Sequence, residues 1–182
     1  MKYLQASNNY RPEKIKVLFI AESPPAYKDK SEMSYFYFED NPGKDILFAT
    51  LIKALYNKNY RKNKDIKREL LNKLKGDGYF LKDTVRRPIN KDKKGNKTKD
   101  REREKIIEYQ RHNLLKELNI MLNGGFITSD TKLILIKETV YNKLKKFLVS
   151  NGFNVINRQY IGFPRYYRDR DVVKEIKYLL NI

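Results

Sequence analysis

The chain has 182 residues, with 40 lysines and arginines against 22 aspartates and glutamates, a formal charge of +18. It contains no cysteine and one histidine, His112, which rules out disulfides, thiolate metal sites, iron–sulfur clusters and His-rich zinc centres and removes the basis for a histidine triad. No apolar run approaches the ~18 residues of a membrane helix and no signal-peptide pattern opens the chain, so a soluble, cytoplasmic protein is expected, nucleoid-associated in a prokaryote.

The length suits one domain spanning 1–182. A surplus of positive charge this large repels itself unless the partner is polyanionic, and nucleic acid is the first such partner. Composition bias or ion-pair networks also enrich lysine, but they would bring a more balanced number of glutamates.

In chain order, Val17 to Ile20 reads as a strand buried on both faces, followed at once by Glu22, Ser23, Pro24 and Pro25. Asp45 caps a helix whose apolar face is Ile46, Leu47, Leu51 and Leu55, and Asp65 starts another carrying Ile66, Leu70, Leu71 and Leu74, stopped by Gly76 and Gly78. A second strand runs from Tyr79 to about Lys82. Residues 90–105 hold no apolar side chain and predict a mobile basic loop at about 90–100 that leads into a long helix from about Asp100. That helix sets Ile106, Ile107, Gln110, Leu114, Leu118 and Met121 on one stripe and stops at Gly124 and Gly125. "KLILIK" predicts a third strand, with a helix after it that buries Val140, Leu144, Phe147 and Leu148. "FNVINRQYI" predicts a fourth, and a last helix buries Val172, Val173, Ile176, Leu179 and Leu180.

Short, uniformly apolar strands alternating with helices predict an α/β fold, a three-layer α/β/α sandwich around a central four-stranded parallel sheet. Ligands of such folds bind beyond the carboxyl ends of the strands. The residues there are Glu22 and Ser23, then Asp83, then Lys137 and Glu138, then Phe163 to Arg168. Glu22, set at a fixed height by the prolines, can orient or deprotonate a water or offset a developing positive charge, or else cap a helix or pair with a lysine. Among Tyr35, Phe36, Tyr37 and Phe38, alternation buries two rings and presents two. A presented ring can stack on a nucleobase, and a buried one anchors the loop. Asp83 can accept from a base edge or cap the turn before Pro88. Arg86, Arg87 and the lysines of 91–99 suit phosphates, or a solvated loop.

Taken together, these pieces resemble the uracil-DNA glycosylase superfamily over nearly the whole chain, in the right order. "VLFIAESPP" looks like the first-strand motif and "YFLKDTVRRP" like the second. "DREREKIIEYQRHNLLKELNIM" occupies the place of a helix of the family. "KLILIKETVYNKL" resembles the third strand and its helix, and "IGFPRYYRDRDVVKEIKYLL" sits where relatives carry a His-Pro-Ser motif. The resemblance implies that Glu22 orients water and supports a sugar cation with help from Ser23. It implies that Asp83 reads the base and one of Tyr35 to Phe38 stacks on it. Phe163 and Pro164 fall on the His-Pro positions, while Ala21 and Pro25 replace glycines. Phe163 thus removes the donor for the leaving base, which Lys137, Arg165 or backbone N–H groups would have to supply. The resemblance implies that Tyr166 and Tyr167 act as a wedge for extruding the base, or else pack under the last helix, and that Arg165 and Arg168 grip phosphates.

The expected activity is a monofunctional DNA glycosylase that hydrolyses the N-glycosidic bond of a deaminated base, uracil or hypoxanthine. No cofactor, metal or membrane is expected, and the protein is expected to be a monomer. The alternatives are an inactive nucleic-acid-binding module on the same fold and an enzyme of free nucleotides or nucleosides.

Overall fold

Nine elements make up the computed structural model, which describes residues 2–27, 34–40, 45–61, 63–91, 95–164 and 169–182. They are α1 (Lys2–Asn9), β1 (Val17–Ala21), α2 (Ile46–Tyr56), α3 (Lys64–Asp77), β2 (Tyr79–Asp83), α4 (Asp100–Asn123), β3 (Lys132–Leu135), α5 (Glu138–Ser150) and α6 (Asp169–Leu180).

The sheet is parallel with order β2-β1-β3. β1 lies in the middle with every residue buried, which is why it reads as an unbroken apolar run rather than an alternating one. Its register pairs Ala21 with Asp83 and Ile20 with Leu135. The three strands therefore finish level, and whatever follows each one meets at a single rim.

Helix boundaries follow local chemistry. Asp45 caps α2 by accepting from the Phe48 N–H at 3.1 Å, and Asn63 caps α3 by accepting from the Ile66 N–H at 3.0 Å. Gly78 ends α3 with φ at 85°, and a Cβ there would lie 2.9 Å from the Lys16 side chain. α4 packs along α5, and α2 along α6. Ile107, Leu114, Leu118 and Met121 of α4 and Val140, Leu144 and Leu148 of α5 are buried.

The fourth strand does not form. Among the described residues the sheet has three strands, and the segment 153–161 meets β3 only through two isolated parallel bridges, Leu133 with Val155 and Ile136 with Ile161. Between those bridges the side chain of the fully buried Asn157 replaces the backbone ladder. Its Oδ1 accepts from the Leu135 N–H at 3.0 Å, and its Nδ2 donates to the Leu135 carbonyl at 3.2 Å and the Gln159 carbonyl at 2.9 Å. An amide side chain carries both a donor and an acceptor, so it can stand in for a peptide group while the main chain bulges away.

Described residues flanking the start of the basic segment make backbone contacts. Lys91 and Lys97 form an antiparallel bridge, and the Thr98 N–H donates to the Asn90 carbonyl at 3.2 Å. Among the described residues no helix is long and apolar enough to cross a membrane.

Candidate active site

A cavity of 540 Å³ opens at the carboxyl ends of the three strands. β1 delivers Glu22 and Ser23 into its wall, β2 delivers Asp83, and β3 delivers Ile136 and Lys137. Tyr27, Tyr35, Phe36 and Phe163 supply its rings, while Asp45, Asn90, Lys91 and Arg103 complete the polar lining. The turn after β1 is pinned where it leaves the sheet, since the Ala26 N–H donates to Asn90 Oδ1 at 2.8 Å.

Glu22 faces inward, with its side chain 8% exposed. Lys137 Nζ donates to Oε2 at 2.5 Å, Thr139 Oγ1 donates to Oε1 at 2.9 Å, and Arg103 Nη1 lies 3.6 Å from Oε2. Both oxygens are therefore engaged, and a buried carboxylate of this kind needs such partners to stay charged. Lys137 itself sits at φ 87° and ψ 140°, in the left-handed region of φ that side chains other than glycine rarely adopt. Burial pushes its ammonium pKa down. Glu22 opposes that shift, and Arg103 and Lys97 add to it.

Asp83 is the second carboxylate, one strand away. Tyr35 Oη donates to its Oδ2 at 3.2 Å. Burial is the largest influence and raises its carboxyl to about 7; the neighbouring Glu22 charge adds to this, while the Tyr35 hydrogen bond and Lys82 work against it. Near neutral pH Asp83 is thus close to half protonated, while Glu22 sits among Lys137 and Arg103. Asp45 approaches from α2, but Lys67 Nζ, fully buried and 2.6 Å away, claims its Oδ2. The same ammonium donates to the Tyr35 carbonyl at 3.2 Å, fixing the aromatic segment against α3. No cluster of three or more metal-ligating side chains exists among the described residues.

Of the four consecutive aromatics, three are buried rather than two. Tyr35 and Phe36 reach the cavity, the first through its bond to Asp83. Tyr37 does not serve as a stacking ring. Its hydroxyl is sealed between the Leu81 N–H and carbonyl at 2.7 and 2.9 Å, which makes it a core anchor. Phe38 turns the other way, stacking on Tyr3 at 5.6 Å and meeting Tyr35 edge-on at 5.1 Å, and it is not part of the cavity wall. The reason is that the segment is not a strand: the Phe38 N–H closes a turn on the Tyr35 carbonyl at 2.9 Å, so alternation does not apply.

No family model, curated protein or solved structure matches this chain.

Phe163 lines the cavity as expected, and Ser23 lies in its wall beside Glu22. Lys137 is present but spends its charge on Glu22 rather than on the opposite end of the cavity. Arg86 is held by Glu117 through Nε and Nη2, each at 2.6 Å, and leans toward a separate cavity of 260 Å³ between α1 and β2. Arg87 is exposed. Arg165, Tyr166, Tyr167 and Arg168 lie outside the described residues.

Arg103, Thr139 and Asn90 were not anticipated. Arg103 was the most readable of them, because it stands four residues before Ile107 and so falls on the buried stripe of α4. A charged residue on an apolar stripe needs a partner inside the fold, and Glu22 is that partner.

Proposed function

We propose that the cavity holds a nucleobase extruded from a nucleic-acid strand and that the protein hydrolyses its N-glycosidic bond. The observation that carries this reading is the pair of inward carboxyl groups on neighbouring strand ends, Glu22 and Asp83, within an aromatic-walled cavity of nucleoside size on a strongly basic chain.

Breaking the bond builds positive charge on the sugar and negative charge on the departing base. Glu22, paired with Lys137 and near Arg103, supplies the carboxylate for the sugar. The departing base needs a proton or a donor, and Phe163 offers neither. Asp83 fills that role when protonated, since a carboxylic acid donates where a carboxylate only accepts. Its carboxyl at about 7 places enough of that form at neutral pH. Tyr35 holds Asp83 in place, and Phe36 and Phe163 offer faces for stacking. A purine such as hypoxanthine, which accepts a proton on its ring nitrogen, suits an acid of this kind better than uracil.

A second reading has its own support. Both oxygens of Glu22 are already satisfied, as in a module that binds an extruded base without cutting it.

Incubation with oligonucleotides carrying single uracil or hypoxanthine residues, followed by alkali, separates the two. Hydrolysis produces alkali-labile sites that disappear in Asp83→Asn and Glu22→Gln variants. Salt-dependent binding without any abasic product, at enzyme in excess, rejects the hydrolytic reading and leaves the binding module.

A further inference from the structure

We propose that Lys137 is an amine nucleophile whose Nζ condenses with the ring-opened C1′ aldehyde of an abasic deoxyribose in the cavity, forming an imine that leads to strand cleavage. The inference rests on reading the cavity as a site for an extruded nucleotide, and it adds a lyase step to the single hydrolytic step.

The placement of Lys137 carries the proposal. It lies directly beyond the end of β3 and lines the cavity, with its side chain 17% exposed. Its backbone is tied on both sides, the N–H donating to the Ile161 carbonyl at 2.7 Å and the carbonyl accepting the Tyr141 N–H at 3.0 Å. Those bonds hold φ at 87°, a strained value for a residue with a Cβ, of the sort that concentrates at functional sites. Thr139 donates to the other Glu22 oxygen at 2.9 Å, so the carboxylate keeps a hydrogen bond when Nζ turns to a substrate. Burial beside Arg103 and Lys97 also favours the neutral amine, the form that attacks carbonyl carbon.

The acid needed for condensation is in contact. Nζ passes a proton to Glu22 Oε2, 2.5 Å away, and its lone pair adds to C1′ to give a carbinolamine. Protonated Glu22 returns the proton to the carbinolamine hydroxyl, which leaves as water, and an iminium remains opposite a regenerated carboxylate. The iminium acidifies the C2′ hydrogen. Loss of that proton to water expels the 3′ phosphate and breaks the C3′–O bond. Hydrolysis of the imine then frees Lys137 and an unsaturated aldehyde on the DNA end.

The test uses the full chain and an oligonucleotide with one preformed abasic site. Borohydride reduces any imine to a secondary amine, and mass spectrometry of the digested adduct locates the modified lysine. The expected result is a covalent adduct on Lys137 that is lost in Lys137→Arg, a variant that keeps a cation against Glu22 and whose thermal melting reports its fold. If that variant fails to fold, the position of the adduct in the wild-type chain decides. No adduct, or adducts confined to other lysines or the N-terminal amine, overturns the inference. Uracil- and hypoxanthine-containing strands run in parallel keep the two proposals apart. Base release without trapping removes the lyase step alone, and trapping without base release removes the hydrolytic reading alone.

Discussion

Asp83 is the residue whose protonation bears on both stability and chemistry. Its folded carboxyl stands at about 7 against an ordinary value of 3.8. Between those values the folded chain keeps a proton that the unfolded chain has released, so this group's stabilising contribution is complete below about pH 4 and is lost as pH rises through about 7. Asp83→Asn removes that dependence. The variant is expected to melt higher than the wild type at pH 8, with the difference vanishing near pH 4, as differential scanning calorimetry across that range would show. The same group governs the proposed hydrolysis with the same sign. As the acid for the departing base, Asp83 makes kcat/KM fall above about pH 7, and Asp83→Asn lowers kcat by ~10²–10⁴. A rate that climbs through pH 7 would instead make Asp83 a base. Glu22 behaves differently, because its value lies in what it neutralises. Glu22→Ala leaves the buried Lys137 ammonium without its carboxylate, while Arg103 keeps Asp100, at a cost of about 3 kcal/mol in urea denaturation. Glu22→Gln keeps the shape and an acceptor and should lose less.

The unformed fourth strand shows how one amide can rewrite an element. Asn157→Ala strips partners from the buried Leu135 N–H and carbonyl, each worth ~1–3 kcal/mol when left unsatisfied. A loss of about 3 kcal/mol in urea unfolding is expected. The damage should reach the cavity, since the segment 153–161 leads directly to Phe163 and anchors the Lys137 N–H through the Ile161 carbonyl. Asn157→Asp, which accepts but cannot donate, should be no milder. "FNVINRQYI" reads as a strand because its apolar residues have the right density, and nothing in its composition announces that Asn157 points at a neighbouring backbone. Helices α2 and α3 were legible for the opposite reason, since period, cap and stop agree at Asp45 and at Gly78, and α4 was legible from its period, whereas α1 was not read from the sequence. Glu22, Asp83 and Lys137 were readable as strand-end residues because topology alone gathers them, and Phe163 reaches the same cavity although no strand precedes it. The bonds from Lys67 to Asp45 and to the Tyr35 carbonyl join distant segments, and no local pattern encodes them.

At the scale of the whole molecule the question is which of the chain's many cations a polyanion would meet. Internal pairing removes several of them. Lys67, Arg103 and Lys137 serve buried carboxylates, and Lys82 and Arg86 share Glu117. Arg87 and Lys97 are exposed, and Lys91 lines the cavity. The total of 40 lysines and arginines therefore overstates the number of phosphates that can be held at once. Each neutralised phosphate releases condensed counterions, so the logarithm of affinity for duplex DNA falls with the logarithm of salt concentration at a slope of about −0.9 per contact. With about five contacts, raising salt from about 50 to about 200 mM weakens binding roughly 500-fold by the same relation. Arg87→Ala should make the slope shallower by about one unit. Arg86→Ala, whose guanidinium is already occupied by Glu117, should leave the slope nearly unchanged while loosening the fold around β2. Fluorescence anisotropy of a labelled duplex titrated at several salt concentrations measures both slopes. Equal slopes for the two variants would mean that the Glu117 pair opens on binding, and a flat salt response would remove nucleic acid as the partner altogether.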